Sequence, residues 1–156
     1  MRVLFVCMGN ICRSPAGENV MNHLLEREGY KEKVVCDSAG TTGYHVGEGP
    51  DRRMSETLQA RGIPSKGSSR KFVASDYENF DLILAMDSDN YRDMLAIAPD
   101  EVSKEKVVLF CHYVNKYPDH DVPDPYYGGQ DGFEYVVDLM LDGCQAIFEE
   151  IKKGSE

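Results

Sequence analysis

Short runs of apolar residues alternate along the chain with longer stretches in which apolar and polar positions follow a helical period. Four runs have the length and the β-branched or aromatic content of buried strands. They cover residues 2–6, 33–36, 80–85 and 107–110. The stretches between them carry apolar residues at spacings of three and four, which is typical of helices with one buried face. The chain is therefore predicted to alternate strands and helices.

The predicted helices begin and end at recognisable signals. They cover residues 15–28, 51–61, 87–98 and 133–151. Ser14 is predicted to cap the first helix with Pro15 at its first position, and Gly29 to end it. Strands that alternate with helices favour a parallel sheet, because parallel neighbours need crossover connections that cover both faces. We therefore expect one α/β domain over residues 1–156, a four-stranded parallel sheet with helices on both faces, which binds ligands beyond the carboxyl ends of its strands.

Composition narrows the range of functions. Of the 156 residues, 27 are acidic and 17 are basic, which gives a net charge of −10 at pH 7. This charge argues against nucleic-acid binding, and the lack of an apolar stretch of about 20 residues argues against membrane insertion. Five cysteines occur without a secretory signal, so we expect reduced thiols and a cytoplasmic location. Two segments rich in glycine or proline, 38–50 and 115–132, are predicted to be functional loops.

Residues suited to phosphate chemistry come directly after the first strand, where a loop opens the first helix. The segment reads Cys-Met-Gly-Asn-Ile-Cys-Arg-Ser-Pro over residues 7–15. Such a loop directs backbone N–H groups and the positive end of the helix dipole at one point, which suits a phosphate-sized anion. Gly9 and Asn10 tolerate left-handed backbone, and Arg13 offers a planar fork to two anion oxygens.

The same electrostatic field favours the thiolate form of Cys7, which is the nucleophilic form. Ser14 is placed to donate its hydroxyl hydrogen to that thiolate. A lone cysteine at a strand end is usually a packing residue, but the whole combination favours phosphate chemistry. The Gly-Lys-Ser/Thr ending of a nucleotide-binding loop is missing.

A thiolate that attacks a phosphate ester needs a proton donor for the leaving oxygen. Asp124 is the candidate, because prolines on both sides restrict its backbone. Tyr126 and Tyr127 follow it and could form an apolar wall. Asp119 and Asp121 are weaker candidates, since they lack the same rigid flanks.

These two segments resemble the low-molecular-weight protein tyrosine phosphatases, and the similarity extends over nearly the whole chain. It includes residues 3–15, Asp-Ser-Ala-Gly-Thr at 37–41, Phe-Asp-Leu-Ile-Leu-Ala-Met-Asp at 80–87 and Val-Pro-Asp-Pro-Tyr at 122–126. The resemblance implies a flavodoxin-like sandwich of the phosphotyrosine protein phosphatase I type. It also implies a two-step reaction through a phosphocysteine, without a metal or other cofactor.

The roles known for this family can be carried over to particular residues of this chain. The resemblance implies Cys7 as the nucleophile, Arg13 as the binder of the transition state and Asp124 as general acid and then general base. The rest of the implied site comprises the phosphate-loop residues Met8, Gly9, Asn10, Ile11, Cys12 and Ser14 and the supporting or cleft residues Ser38, Tyr44, Tyr126 and Tyr127. The implied substrates are phosphotyrosine-containing proteins or peptides, with inorganic phosphate as a product inhibitor and a monomer or weak homodimer as the assembly.

Three other functions stay open at this point. A protein arginine phosphatase of the same fold is the nearest, although in that subgroup the resemblance suggests threonine where this chain has Ile11. An arsenate reductase needs a further cysteine pair, and no cysteine lies between Cys36 and Cys111. A protein that only binds anions would have no use for Asp124.

The other cysteines and the histidines have simpler interpretations. Cys12 either packs or, as the resemblance implies, forms a reversible disulfide with Cys7 that protects the nucleophile from over-oxidation. His23 and His45 are predicted to lie at the surface. No spacing of cysteine and histidine matches a common zinc pattern, so no metal site is predicted. Three cysteines are predicted to be buried packing residues: Cys36, Cys111 and Cys144.

Overall fold

In the computed structural model of the protein, which describes residues 1–154, strands and helices alternate along the chain. The strands are β1 (Arg2–Cys7), β2 (Val35–Gly40), β3 (Leu82–Ala85) and β4 (Val107–Leu109). The helices are α1 (Arg13–Glu28), α2 (Arg52–Ala60), α3 (Asp76–Asn79), α4 (Ser88–Ala96), α5 (Glu101–Lys104) and α6 (Gln130–Gly154), and a 3₁₀ helix covers Phe110–Tyr113. The strands pair in parallel, in the order β2-β1-β3-β4. Within residues 1–154, no helix has both the length and the apolar character needed to cross a bilayer.

Alternate residues of β1 point to opposite faces of the sheet, and both faces are covered. Val3 and Phe5 pack in a cluster with apolar side chains of α1 and α6. Leu4 and Val6 pack on the other face, in a cluster that includes side chains of α3 and α4. All four side chains are completely buried. This confirms the predicted fold class, a four-stranded parallel sheet with helices on both faces.

Two glycines allow helices to approach aromatic rings closely. A Cβ atom on Gly17 of α1 would lie 2.6 Å from the ring of Phe5, and one on Gly143 of α6 would overlap the ring of Phe110. Glycine inside a helix costs about 1 kcal/mol relative to alanine. The close packing against these rings accounts for glycine at both positions.

The second strand lies further along the chain than its apolar run predicts. It covers Val35–Gly40 and pairs with β1 along its full length, so the prediction of residues 33–36 was wrong. Ser38, predicted in a loop, lies in this strand, because the parallel ladder provides partners for the backbone groups of small and polar residues. A Cβ atom on Gly40 would lie 2.8 Å from the carbonyl oxygen of Met8, so the strand end requires glycine.

The helix ends differ from the prediction at several places. α1 begins at Arg13 with Cys12 in the N-cap position, so the prediction of Ser14 as the N-cap was wrong. The end of α1 at Gly29, with a left-handed φ of 76°, was predicted correctly. α6 begins at Gln130, before the predicted start at residue 133. α3 and α5 were not predicted, because one helical turn shows no hydrophobic period.

The central position of β1 places its last residue between two connections. Cys7 ends β1 at the carboxyl edge of the sheet, and its carbonyl oxygen accepts from the Thr41 N–H, just after β2, at 2.8 Å. The Val6 carbonyl accepts from the Met86 N–H, just after β3, at 3.0 Å. The chain passes from β1 to β2 on one side and then to β3 on the other, so the strand order reverses at β1. Open parallel sheets bind ligands at such a switch point, and Cys7 lies at its carboxyl edge.

Candidate active site

The loop of residues 8–12 joins β1 to α1 and folds over the side chain of Cys7. Asn10 has a left-handed backbone with a φ of 58°, as predicted, and its N–H lies 3.3 Å from Cys7 Sγ. Gly9 is not left-handed; instead, its missing Cβ leaves room for the ring of His45, 3.2 Å from the Cβ position. Cys7 is buried beneath the loop, and its sulfur contacts Ser14 in the first turn of α1, the end of the helix that favours anions.

Hydrogen bonds connect the sulfur of Cys7 to the side chains of the neighbouring strand. Asn10 Nδ2 donates to Ser14 Oγ at 2.8 Å and to Ser38 Oγ at 3.0 Å. Ser14 Oγ lies 3.0 Å from Cys7 Sγ and 3.4 Å from the Ala39 carbonyl oxygen. Because Asn10 already supplies a hydrogen to Ser14 Oγ, the Ser14 hydroxyl can direct its own hydrogen to the nearer sulfur and so stabilise a thiolate.

Glu18 lies at the far end of this network. Ser38 Oγ donates to Glu18 Oε1 at 2.5 Å. Burial raises the pKa of Glu18 to about 7; the Ser38 hydrogen bond and Arg70 oppose this effect, and Asp37 adds to it. Glu18 therefore changes its charge near neutral pH, while connected to Cys7 through the hydrogen bonds of Ser38, Asn10 and Ser14.

Arg13, the first residue of α1, is 3% exposed and has two fixed partners. Its Nη1 donates to Asp87 Oδ2 at 2.5 Å and to the Val122 carbonyl oxygen at 3.0 Å. Burial alone would lower the pKa of Arg13, but the charges of Cys7 and two nearby carboxylates raise it above its usual value. The guanidinium is therefore a fixed cation, as the binding of an anion in the loop requires.

Asp124 lies near the other terminal nitrogen of the same guanidinium. Its Oδ2 lies 3.8 Å from Arg13 Nη2, and its Oδ1 accepts from the Tyr126 N–H at 3.0 Å. About a third of the Asp124 side chain is exposed, so both solvent and a bound substrate can reach it. A carboxyl group above a thiol and an arginine can deliver a proton to a leaving oxygen.

The two weaker aspartate candidates point to other partners. Asp119 accepts a hydrogen bond from the Tyr135 hydroxyl. Asp121 Oδ1 accepts from the N–H of Ser88 at 3.0 Å and from its hydroxyl at 2.8 Å. Of the three aspartates considered from the sequence, Asp124 is therefore the one that lies near Arg13 and lines the same cleft as Cys7.

A small cleft opens over the loop, and most of the predicted site residues line it. The rings of Tyr126 and Tyr127 meet edge to face with centroids 5.0 Å apart, and the Arg53 guanidinium lies over the Tyr126 ring at 5.3 Å. Tyr44 and Tyr127 are 80% and 86% exposed. The walls are thus largely aromatic, whereas the floor holds the sulfur and the arginine. The lining comprises Cys7, Met8, Gly9, Ile11, Cys12, Arg13, Tyr44, His45, Asp124, Tyr126 and Tyr127.

Three site residues were missed by sequence reasoning. Asp87 lies two residues after the end of β3, at the carboxyl edge of the sheet, and this position was the available signal for its place beside Arg13. Glu18 gave no signal, because a glutamate on a helix is usually exposed. His45, predicted at the surface, is half-buried and borders the cleft, with Nδ1 2.6 Å from Glu48 Oε2.

The four cysteines other than Cys7 are free thiols that are buried or half-buried. Burial raises the pKa of Cys12, and nearby negative charges add to the effect. Burial likewise raises the pKa of Cys36 to about 12 and of Cys111 to about 11, and Cys144 is completely buried. Within residues 1–154, no group of three or more His, Cys, Asp or Glu side chains is arranged to hold a metal ion.

Several known proteins are similar to this chain in both sequence and structure. A family model described as low molecular weight phosphotyrosine protein phosphatase matches residues 2–156. The protein of that name from Schizosaccharomyces pombe is 43% identical over 152 residues, which cover 97% of each chain. The crystal structure of a protein tyrosine phosphatase from Entamoeba histolytica superposes with a TM-score of 0.95 and 43% identity, covering 100% of this chain and 99% of that one. A Drosophila arginine phosphatase superposes with a TM-score of 0.90 and 31% identity, covering 97% and 98%.

Proposed function

The chain belongs to the low molecular weight phosphotyrosine protein phosphatase family, and we propose that Cys7, Arg13 and Asp124 carry out its reaction. The observation that supports this assignment best is the placement of Cys7 Sγ. It lies 3.3 Å from the Asn10 N–H and 3.0 Å from Ser14 Oγ. These contacts stabilise a thiolate beneath an arginine that can bind the phosphoryl oxygens.

The first step forms a bond from Cys7 Sγ to phosphorus and breaks the bond from phosphorus to the tyrosyl oxygen. The neutral Asp124 carboxyl group donates its proton to the departing phenolate. Arg13 and the loop N–H groups bind the equatorial oxygens, where negative charge is concentrated. The products of this step are the dephosphorylated tyrosine side chain of the substrate and a phosphocysteine.

The second step returns the enzyme to its starting state. Asp124, now a carboxylate, accepts a proton from a water molecule whose oxygen attacks phosphorus. The bond from phosphorus to Cys7 Sγ breaks, and inorganic phosphate and the thiolate are released. Because the cycle starts from an ionised thiol and a protonated carboxyl, we expect a mildly acidic optimum and a falling rate at alkaline pH; an unchanged rate from about pH 5 to 8 would contradict the assignment.

Substitution of the two central side chains tests this scheme. Cys7→Ser should abolish turnover of an aryl phosphate while phosphate binding, measured by calorimetry, is retained. Asp124→Ala should slow turnover by about 10²- to 10⁴-fold, since it removes general acid and base catalysis, and should leave a phosphocysteine that mass spectrometry detects. Asp93→Ala, which removes an exposed carboxylate from α4, is the control and should be fully active. Full activity of either site variant would show that the roles are wrong.

Phosphotyrosine is the proposed substrate class, with phosphoarginine as the alternative because an arginine phosphatase is a structural neighbour. The aromatic walls formed by Tyr126 and Tyr127 and the apolar side chain of Ile11 support an aryl group in the cleft. We expect a higher kcat/KM for phosphotyrosine than for phosphoarginine, and Ile11→Thr should shift that ratio towards phosphoarginine. A wild-type preference for phosphoarginine would reverse the assignment.

Cys12 supports a further proposal about the same site. A peroxide would oxidise the Cys7 thiolate to a sulfenic acid, and condensation with the Cys12 thiol would release water and form a disulfide. Both side chains line the cleft. Mass spectrometry after mild peroxide treatment should find this bond and recovery of activity by dithiothreitol, whereas Cys12→Ser should become irreversibly inactive. Irreversible loss in both proteins would contradict the proposal.

The remaining proposals concern the setting in which the enzyme acts. We propose a single domain over residues 1–156, a cytoplasmic location, phosphotyrosine-containing proteins as partners and inorganic phosphate as a product inhibitor. A monomer or weak homodimer is the proposed assembly. Sedimentation across protein concentrations tests the assembly, and a stable higher oligomer would contradict it. Cell fractionation tests the location, and a membrane-bound fraction would contradict it.

A further inference from the structure

Asp121, three residues before the proposed general acid, is bound twice by the first residue of α4. Ser88 donates both its N–H, at 3.0 Å, and its hydroxyl, at 2.8 Å, to Asp121 Oδ1. We call this pair the Ser88–Asp121 clasp. Both side chains are exposed, so the clasp lies outside the core and outside the cleft lining.

The residue after the clasp is fixed to the same part of the sheet. The Val122 N–H donates to the Met86 carbonyl oxygen at 2.8 Å, and the Val122 carbonyl accepts from Arg13 Nη1 at 3.0 Å. Val122 is 1% exposed. Residues 121 and 122 are thus attached to both neighbours of Asp87, the side chain that holds Arg13 at 2.5 Å.

The hydrogen bonds of the next residues are local to the segment, and its contacts with the rest of the protein are made by side chains, with Asp124 Oδ2 3.8 Å from Arg13 Nη2 and the Arg53 guanidinium over the Tyr126 ring. Asp124 Oδ1 accepts from the Tyr126 N–H, and the Gly128 N–H donates to the Pro125 carbonyl at 3.0 Å. Such bonds shape the segment but do not set its distance from Cys7. The backbone of the segment is therefore hydrogen-bonded to the sheet side of the site at residues 121 and 122, and this anchor contributes to the position of the Asp124 carboxyl relative to the sulfur.

We propose that Ser88 and Asp121 are positioning residues for proton transfer by Asp124. This inference rests on the proposed role of Asp124 as the general acid. Neither residue touches the substrate; the clasp holds the chain so that the Asp124 carboxyl meets the leaving oxygen. A misplacement of about 1 Å at a reacting group can lower the rate by about 10²-fold. Loss of two hydrogen bonds that position Asp124 can therefore lower the rate of proton transfer, although neither bond touches the substrate.

The test compares two aryl phosphates whose leaving groups depend to different degrees on general acid catalysis. Phenyl phosphate releases a basic phenolate, whereas 4-nitrophenyl phosphate releases a stable one that needs little protonation. Asp121→Ala removes both bonds and should lower kcat/KM about tenfold for phenyl phosphate and less than about twofold for 4-nitrophenyl phosphate. Ser88→Ala keeps the backbone N–H bond and should show a smaller loss of the same kind.

Two further variants serve as controls. Asp121→Asn keeps an oxygen that accepts both bonds, so its kcat/KM values should be close to those of wild type. A loss of kcat/KM as severe as in Asp121→Ala would mean that the Asp121 carboxyl itself transfers the proton. That result would overturn the proposal. Asp100→Ala removes a bond of the same type, from the Ser103 N–H at 2.7 Å, at the start of α5. It should leave both kcat/KM values unchanged.

Measurement of kcat/KM for Asp124→Ala with the same two substrates distinguishes the positioning role of the clasp from the general-acid role of Asp124. If Asp124→Ala shows no greater loss with phenyl phosphate, the assigned general acid is wrong. If Asp124→Ala shows the greater loss but Asp121→Ala and Ser88→Ala lower both substrates equally, the clasp is only structural and this inference is wrong. Should Asp121→Ala fail to fold, the comparison of Ser88→Ala with wild type decides by the same criterion.

Discussion

At the scale of single residues, neighbours decide the role of each carboxylate in this protein. Asp119, Asp121 and Asp124 lie within one segment and have the same chemistry, yet each has a different partner. A tyrosine hydroxyl holds the first, a helix start holds the second, and the third faces Arg13. Sequence reasoning could identify the three candidates and favour Asp124 from its flanking prolines. The partners themselves depend on the fold.

Glu18 gives a prediction about stability and pH. Its pKa in the folded protein is about 7, above the ordinary value of 4.5, because of burial. The folded state therefore binds the proton more tightly than the unfolded state does, and stability falls as pH rises from about 4.5 to 7. Glu18→Gln removes this loss. The difference in the free energy of unfolding between Glu18→Gln and wild type should therefore shift in favour of the variant from pH 4 to pH 8, by up to about 3 kcal/mol.

Urea unfolding of both proteins at the two pH values measures that difference. Glu26→Gln is the matched control, since Glu26 lies exposed on the same helix α1. Its effect on the free energy of unfolding should be nearly independent of pH. An equal effect of Glu18→Gln at both pH values would show that the Glu18 carboxyl titrates normally.

At the scale of elements, the sequence predicts long elements well and short or polar ones poorly. β1, β3 and the long helices follow from apolar runs and helical spacing. β2 was misplaced because its second half is Ser38, Ala39 and Gly40, whose strand conformation comes from pairing with β1 and not from their own preference. α3 and α5, with four residues each, are too short to show a period.

The packing of α6 gives a prediction at this scale. Gly143→Ala should lower stability by about 1–3 kcal/mol, because the new methyl group overlaps the Phe110 ring and forces the helix outward. Gly132→Ala in the first turn of the same helix meets only an ordinary contact, 3.6 Å from Pro125. It should be neutral or stabilising by up to about 1 kcal/mol. Thermal unfolding of both variants measures the difference, and equal effects would contradict the packing argument.

At the scale of the whole molecule, a chain with a net charge of −10 carries the proposed site for a phosphate anion. The attraction comes from Arg13 and from the N–H groups at the start of α1, and both act over a short range. The general repulsion between protein and phosphate is screened at moderate salt. The acidic composition and the phosphate site are therefore compatible.

Binding at this site should stabilise the entire fold. At about 100 times its dissociation constant, inorganic phosphate should add about 2.7 kcal/mol to the free energy of unfolding and raise Tm. Arg13→Lys keeps the charge but loses the planar fork, so its Tm should rise less at the same phosphate concentration. Sodium chloride at equal ionic strength is the control; an equal rise in chloride would mean that phosphate acts only as a salt.

The central place of β1 in the sheet has a consequence for how the protein opens on warming. Cys7 lies on a strand that is bonded on both sides, whereas Asp124 lies on a segment tied to the sheet through residues 121 and 122. Proteins open in local units of unequal free energy, so the amides of 121–129 should exchange with deuterium well before those of 3–7. A molecule opened in this way still has Cys7 at the end of β1 and Arg13 at the start of α1. On warming, the protein should therefore lose turnover before it loses the ability to hold phosphate.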